Sequence, residues 1–363
     1  MRVPKSPECD GRAPSRRASF VLVAIGIGAL GVLVYWAGVG DVARALARLG
    51  WLMVPLAAFH VVPLTLDASA WRVITPPPRP RLLVFMAARW VREGVNALLP
   101  VAQLGGEVVA VRMLARAGGG TAKSTALVAI DLASEFLAMV VVGCIGAGAL
   151  FELAPPAERA QVTFVAAAML PATMAAVSLA CLQRIGLLGR IADRLRPRWP
   201  KAGEQLRAAQ EAATAAWARP GALLHATALH GLGWSAGAVE TWVVLKALAH
   251  PLRIEQAFAL ETTSEVLRSF GFAVPGLLAV QEGSLVLVGG LLGLSATEAI
   301  ALSLFRRARD ISMGVPALLI WQGMEGRRPK RDDELGKRVH SGRRIRNYGC
   351  WRMDHVERGG QNF

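Results

Sequence analysis

Long apolar runs separated by short polar segments make up most of the chain. The runs lie at about 20–39, 51–71, 123–150, 160–181, 221–247 and 297–321. Each approaches the roughly 20 residues that a helix needs to cross a bilayer. The pattern therefore predicts an all-α, polytopic membrane protein with about six full spans. We expect a single membrane domain over residues 19–323, between disordered basic segments at 1–18 and 324–363.

Two further apolar stretches, 82–117 and 257–292, are interrupted near their centres. The helix breakers are, in the first stretch, Pro100, Gly105 and Gly106, and in the second, Pro275 and Gly276. A charge at the bilayer centre costs roughly 2.5–3.5 kcal/mol on insertion scales, and both stretches carry several. Non-helical backbone at that depth is tolerated only inside protein or along a cavity. Each stretch therefore predicts a broken, re-entrant helical hairpin.

One spacing occurs in both broken stretches, 175 positions apart. Pro100, Glu107 and Gly118 correspond to Pro275, Glu282 and Gly293. The same offset carries the run at 51–71 onto the run at 221–247, and the run at 123–150 onto the last run. We interpret this as two repeat halves, at about 19–150 and 160–323, with a basic insertion at 182–220. Chance is the alternative, because proline, glycine and glutamate are common residues.

The sidedness of the basic residues indicates how the halves are oriented. Cytoplasmic loops of membrane proteins carry an excess of lysine and arginine. If the N-terminus lies in the cytoplasm, three basic segments lie there too: the loop at 72–81, the insertion and the C-terminal tail. The first hairpin then enters from the cytoplasm and the second from outside, which is an inverted-topology repeat typical of transporters. Both termini are expected to be cytoplasmic.

The composition supports a membrane protein and excludes several other classes. Hydrophobic residues make up 53% of the chain, charged residues 18%, and the mean hydropathy is +0.40. The net charge of +15 lies mostly in loops and tails, so we expect no nucleic-acid partner. The four cysteines show no Cys-x-x-Cys spacing and the histidines no HExxH, which favours satisfied polar histidines over metal ligands. A phosphate-binding loop is also missing from the sequence, and we expect no metal, no cofactor and no catalytic residue.

Polar residues within the apolar stretches are the candidates for a substrate path. Arginine binds phosphate through two parallel hydrogen bonds, and ionisable residues inside a membrane usually serve a pathway or site. The alternative is that these residues form structural ion pairs that hold the halves together. For Arg112, a further alternative is that its side chain extends to the membrane surface. Asp67, one turn from the end of its run, is expected to reach the interface. The candidates are Arg92, Glu93, Asn96, Gln103, Glu107, Arg112, Asp131, Glu135, Glu265, Arg268, Gln281, Glu282, Arg306, Arg309 and Asp310.

Three segments carry a resemblance to a known family. These are REGVNALLPVAQLGGE at 92–107, VPGLLAVQEG at 274–283 and LSLFRRARD at 302–310. They resemble the lysylphosphatidylglycerol synthase transmembrane-region family, also described as flippase-like or uncharacterised integral membrane proteins, and within it the hopanoid-biosynthesis-associated membrane protein L group. The resemblance covers roughly residues 20–322. It implies a protein of the bacterial inner membrane that handles lipids or polyprenyl-linked lipids.

The same resemblance separates this chain from the enzymes of the family. Full synthases carry a soluble aminoacyl-transferase domain after the membrane part, where this chain has a basic tail. We therefore do not expect synthase activity. The leading hypothesis is a lipid or polyprenyl-lipid transporter of the flippase type, with anionic phospholipid, polyprenyl-linked or hopanoid lipids as partners. The alternatives are a membrane enzyme or assembly factor acting with lipid-pathway enzymes, and a scaffold whose basic segments bind anionic lipid.

Overall fold

The computed structural model describes residues 39–99, 105–271 and 279–326, together with Val32 and Tyr35. Every regular element in these ranges is a helix. The chain divides into a compact unit that ends at Trp321 and a second unit from Gln322, of which only the residues to Gly326 are described. The expected features that lie outside the described residues are the segment at 1–18, most of the run at 20–39, the tail beyond Gly326, and the residues Pro100, Gln103, Pro275 and Gly276.

The helices of the first half run in chain order from Val39 to Leu153. They are α1 (Val39–Leu49), α2 (Met53–Phe59), α3 (Val61–Ile74), α4 (Leu82–Leu98), α5 (Gly105–Leu114) and α6 (Thr121–Leu153). A 3₁₀ turn, Gly50–Leu52, joins α1 to α2. A π-helical turn, Ala115–Gly119, joins α5 to the turn before α6.

The second half follows a 3₁₀ turn at Pro156–Glu158. Its helices are α7 (Arg159–Ala168), α8 (Leu170–Arg184), α9 (Leu187–Leu195), α10 (Pro200–Trp217), α11 (Pro220–Ala247), α12 (Ile254–Ser269), α13 (Val280–Gly290) and α14 (Ala296–Gly326). The basic insertion predicted at 182–220 thus contains α9 and α10, which pack against each other.

The surface of the bundle is that of a membrane protein. By length and apolar composition, two helical stretches in the described ranges, Ala47–Ile74 and Thr121–Leu153, can cross a bilayer. Large apolar side chains such as Val141 and Ile145 on α6 and Leu232 on α11 are exposed. Water disfavours such a surface, whereas lipid tails accept it. The fold is all-α, as the apolar runs predict.

Prolines divide two of the runs that the sequence presents as continuous. The run at 51–71 is split at His60, between α2 and α3, because Pro63 has no N–H to donate to the preceding turn. The run at 160–181 is split at Met169, and Pro171 lies in the first turn of α8, where a missing N–H costs nothing. The short polar segment between the first two apolar runs lies in the helix α1.

The helix boundaries follow the 175-residue spacing seen in the sequence. Helix α5 begins at Gly105 and α13 at Val280, while α6 begins at Thr121 and α14 at Ala296. The turns before α6 and α14 each contain a glycine with positive φ, Gly118 at 102° and Gly293 at 83°. Glycine adopts this conformation without steric penalty, and other residues rarely do. The orientation of the two halves across the membrane stays a prediction.

Two apolar cores lie in the bundle, and each contains residues of both halves. One core contains Trp71 and Phe85 of the first half with Ala317 of α14. The other contains Leu260 and Phe305 of the second half with Leu150 of α6.

The contact between α4 and α14 depends on facing glycines. A methyl group added to Gly94 would lie 3.2 Å from the Cα of Gly314. Small residues let membrane helices approach closely, so these glycines bring the charged faces of the helices into the core.

Candidate functional site

Charged side chains from α3, α4, α5, α6 and α11 meet inside the first half. This first cluster consists of Asp67, Arg89, Arg92, Glu93, Glu107, Asp131, Glu135 and His230. Arg89 lies at its centre. Its guanidinium contacts Asp67 at 3.0 Å, Glu93 at 3.0 Å and Asp131 at 3.4 Å, and it also donates to Glu135. One buried cation therefore links helices α3, α4 and α6.

Arg92 extends the cluster towards the broken segment. It lies three residues after Arg89, so both guanidiniums project from the same face of α4. Arg92 Nε donates to Glu107 Oε1 at 2.5 Å and Nη2 donates to Glu135 Oε2 at 2.9 Å. The ring of Trp71 faces both arginines, with its centroid 6.0 Å and 5.9 Å from their Cζ atoms. This cation–π contact keeps the guanidiniums against an apolar wall.

His230 of α11 connects the first cluster to the second half of the chain. Its Nδ1 lies 2.7 Å from Asp67 Oδ1, and its Nε2 lies 2.9 Å from Asp131 Oδ1. The side chain of His230 is fully buried. A second histidine, His60, lies 3.3 Å from Glu93 at the edge of the cluster.

The same place has the ligand types of a divalent cation site. Ligand atoms of Asp67, Glu135 and His230 lie within 4.8 Å of one another. The guanidinium of Arg89 already contacts both carboxylates, so the protein supplies its own cation at this position. We therefore assign no metal site to these three residues.

A second cluster lies between α11, α12, α13 and α14. It consists of Glu240, Thr241, Glu261, Glu265, Arg268, Gln281, Glu282, Ser303, Arg306, Arg307, Arg309 and Asp310. Arg306 donates to Glu265 at 3.2 Å, to the hydroxyl of Thr241 at 2.7 Å, and to Glu261. Arg306 and the two carboxylates are buried, so α14 is joined to α12 by charges shielded from solvent.

Glu282 is the most enclosed carboxylate of the second cluster. It is 0% exposed and accepts hydrogen bonds from Arg307 Nε at 2.6 Å and Nη2 at 2.9 Å. The hydroxyl of Ser303 donates to it at 2.8 Å and accepts from the amide of Gln281, also at 2.8 Å. A buried charge with this many partners is stabilised relative to an isolated one.

Two further arginines complete the second cluster at its periphery. Arg309 Nη1 contacts both carboxylate oxygens of Glu240, at 2.5 Å and 2.6 Å, and its Nη2 contacts Asp310 at 2.8 Å. Arg268 Nε contacts Glu265 at 2.5 Å. The second cluster therefore consists of three neighbouring sets of ion pairs, which involve Arg306, Arg307 and Arg309 of α14.

The two clusters use opposite charges at related helices. In the first half the arginines lie on α4, before the break, and α6 after it carries Asp131 and Glu135. In the second half α12, before the break, carries the carboxylates of Glu261 and Glu265, and their partner Arg306 lies on α14. Both halves keep a glutamate in the first turn after the break, Glu107 in α5 and Glu282 in α13.

Most of the residues that the sequence selects are found in one of the two clusters. The first holds Arg92, Glu93, Glu107, Asp131 and Glu135, and the second holds Glu265, Arg268, Gln281, Glu282, Arg306, Arg309 and Asp310.

Asn96 and Arg112 have other positions. The side chain of Asn96 accepts the N–H of Gly106 at 2.8 Å, so it fixes the start of α5, where Gly105 is the first residue. Arg112 is exposed, and no ion pair of either cluster involves it.

Several members of the clusters are not selected by the sequence pattern. These are Asp67, Arg89, His230, Glu240, Thr241, Glu261, Ser303 and Arg307. The place of Asp67 in the sequence suggests that it reaches the interface. In the structure its carboxylate contacts Arg89 instead. An ionisable residue within an apolar run is the available signal for most of them, because such residues are costly unless they face a partner.

The fold and the two clusters define an integral membrane protein of the all-α class, with paired ionisable groups enclosed between its helices. The chain belongs to the family of the lysylphosphatidylglycerol synthase TM region, whose model matches residues 21–316. Searches of curated proteins and of solved structures found no match. The family relates the protein to membrane lipids.

Proposed function

We propose that this protein moves a lipid with a charged headgroup between the two leaflets of the bacterial inner membrane. Phospholipids and polyprenyl-linked lipids are the substrate classes, and the family resemblance adds hopanoid lipids. The observation that carries the proposal is the pair of buried charge clusters beside two broken helices, in a chain of a lipid-related membrane family. Both termini would then lie in the cytoplasm, with the halves in opposite orientation.

A headgroup cannot cross the apolar core of a bilayer without polar partners. Transfer of a polar group into an apolar medium costs several kcal/mol unless hydrogen bonds replace water. The clusters offer such partners along both halves of the bundle, and the apolar helix surfaces leave the lipid tails in the bilayer. This division between a charged interior and an apolar exterior matches the two ends of a lipid molecule.

The first cluster has unused hydrogen-bonding capacity. Among the described residues, Arg92 Nη1, Trp71 Nε1 and Glu107 Oε2 are buried and have no hydrogen-bond partner. Buried polar atoms usually have partners, so such atoms indicate a ligand or water. The two N–H groups are suited to a phosphate oxygen and the carboxylate oxygen to a headgroup hydroxyl or amine. Glu107 also lies in the first turn of α5, and the N-terminus of a helix favours negative charge.

Transport in liposomes tests the proposal directly. Purified protein would be reconstituted with fluorescent phospholipid, polyprenyl-phosphate or hopanoid lipid, and the exchange between leaflets measured. Glu107→Gln and Glu282→Gln should each slow exchange by about tenfold or more, because a charge-assisted hydrogen bond contributes roughly 1.5–3 kcal/mol. Glu152→Gln, at an exposed position near the end of α6, is the control. Wild-type exchange rates in both variants would exclude a path through these carboxylates.

A scaffold or assembly factor is the alternative that needs a different part of the chain. Such a protein would act through its basic segments, whereas a transporter needs the buried charges. Removal of residues 326–363 should leave the rescue of a deletion strain intact if the protein transports lipid. Loss of rescue by this truncation, with full rescue by Glu107→Gln and Glu282→Gln, would favour the scaffold.

A further inference from the structure

Both ring nitrogens of His230 contact aspartate oxygens, and two such hydrogen bonds need one proton more than a neutral imidazole between two ionised carboxylates has. Its two ring nitrogens lie 2.7 Å from Asp67 and 2.9 Å from Asp131, and the ring is fully buried. An ionised carboxylate only accepts hydrogen bonds, and a neutral imidazole has a single N–H. Both contacts are hydrogen bonds only if the ring carries two protons, or if one aspartate carries a proton of its own. Asp67, His230 and Asp131, termed the relay group, thus share one additional proton.

The charges of the first cluster independently support this. Among the described residues it contains five carboxylates and two guanidiniums, which are Asp67, Glu93, Glu107, Asp131 and Glu135 against Arg89 and Arg92. Negative charge in excess is unfavourable inside an apolar bundle, where groups neutralise by binding protons or cations. A proton on the relay group lowers this excess where the carboxylates are most buried.

We propose that the relay group is a proton-binding site whose proton moves during lipid transport. The coupling to transport rests on the function proposed above, whereas the proton site itself does not. Loss of the proton removes a donor from the relay group, and one aspartate then has a free oxygen. Arg89 already touches the same aspartates, through Nη2 to Asp67 at 3.0 Å and Nη1 to Asp131 at 3.4 Å. Histidine and arginine contact different oxygens of these carboxylates, so loss of the proton leaves one aspartate held by Arg89 and no longer by His230.

The position of the relay group makes the loss of this hydrogen bond relevant to the whole bundle. Asp67 belongs to α3 and Asp131 to α6, both in the first half, whereas His230 belongs to α11 in the second. Release of the proton weakens a contact between the halves, and uptake strengthens it. Alternating access in transporters made of repeats occurs by movement of one half against the other. The site is thus placed where a proton can bias that movement.

Charged groups on each packed element contribute to the environment of His230. Helix α3 contributes Asp67, α6 contributes Asp131 and Glu135, and α4 contributes Arg89 and Arg92. Helix α10 packs near this part of α11 through alanines such as Ala213 and Ala216. On α12, Glu261 faces Gly237 of α11 and is paired with Arg306. The carboxylates of α3 and α6 thus favour the proton, and the arginines of α4 oppose it.

Infrared difference spectroscopy tests the proton site without any need for transport. Full-length protein in lipid nanodiscs would be subjected to changes in pH, and the imidazole and carboxyl bands recorded. The wild type should show a protonation change that is lost in His230→Gln and kept in His225→Gln, an exposed histidine on the same helix. If His230→Gln does not fold, Asp67→Asn gives the same readout with almost unchanged shape. A wild type without the change, or the same change in His230→Gln or Asp67→Asn, would overturn the proposal.

Two further measurements distinguish a proton from a metal ion at the relay group and test its coupling to transport. Elemental analysis that finds a stoichiometric metal ion, lost in His230→Gln, would replace the proton with a metal. In liposomes that contain a pH-sensitive dye, lipid exchange should acidify or alkalise the lumen in the wild type and not in His230→Gln. Equal proton flux in the variant would overturn the coupling. A positive infrared result without any lipid exchange would leave the proton site standing and contradict the proposed transport function.

Discussion

Asp131 and Arg306 occupy equivalent positions in α6 and α14, and they carry opposite charges. Each is the eleventh residue of its helix, since α6 begins at Thr121 and α14 at Ala296. Asp131 contacts Arg89 of α4, and Arg306 contacts Glu265 of α12. An ion pair therefore links α4 to α6 and another links α12 to α14, and the two pairs have reversed polarity.

Removal of Arg306 should destabilise the second half strongly. Arg306→Gln leaves the buried carboxylate of Glu261 without its cation. Breaking a buried ion pair on one side typically costs about 3–5 kcal/mol. Denaturant unfolding in detergent should show a loss of this size in Arg306→Gln and almost none in Arg112→Gln, because Arg112 is exposed. Equal unfolding free energies for the two variants would show that Arg306 has no structural importance.

Glu282 and Arg307 should be energetically coupled. The distances of 2.6 Å and 2.9 Å describe a bidentate contact, and Glu282 is fully buried. A double-mutant cycle with Glu282→Gln and Arg307→Gln should give a coupling of about 0.5–3 kcal/mol in unfolding.

The comparison pair for this cycle is Arg207 with Asp193. They lie 3.4 Å apart, and half or more of each side chain is exposed. Exposed pairs couple by only about 0.2–1 kcal/mol. If the exposed pair has the same coupling energy as the buried one, burial does not strengthen the ion pair between Glu282 and Arg307.

Close packing of α6 against α12 should depend on Gly146. A methyl group added at this position would collide with the side chain of Thr262, whereas at Gly148 it meets no described atom within 4 Å. Overpacking of this kind costs typically about 1–3 kcal/mol. Gly146→Ala should therefore lower the unfolding temperature in detergent, and Gly148→Ala should leave it unchanged. Similar temperatures for the two variants would mean that the helices separate easily.

The sequence predicts those features of the fold that local chemistry determines. Apolar runs, helix-breaking residues and the offset between Glu107 and Glu282 are all visible in one dimension, and the starts of α5, α6, α13 and α14 follow them. Helix α1 is not predicted, although Val39, Val42, Leu46 and Leu49 have helical spacing. In the sequence alone, the polar residues of this segment indicate a short connection between two apolar runs.

Partners of the buried charges are beyond the reach of the sequence. Asp67 and His230 lie in different apolar runs, 163 positions apart, and their contact depends on how α3 packs against α11. Which helices meet is decided by packing over the whole bundle, including glycines such as Gly94 and Gly314.

The two halves should be labelled from opposite sides of the membrane. Val108, 61% exposed, and the exposed Gly283 follow Glu107 and Glu282 directly, and no described atom lies within 4 Å of a methyl group added at Gly283. Val108→Cys and Gly283→Cys would be made in a background without the natural cysteines and treated with a membrane-impermeant maleimide. The first should react from the cytoplasm and the second from outside, because basic loops fix the cytoplasmic side. The same scan over 96–107 and 271–282 extends the comparison, and labelling of both segments from one side would contradict the inverted repeat.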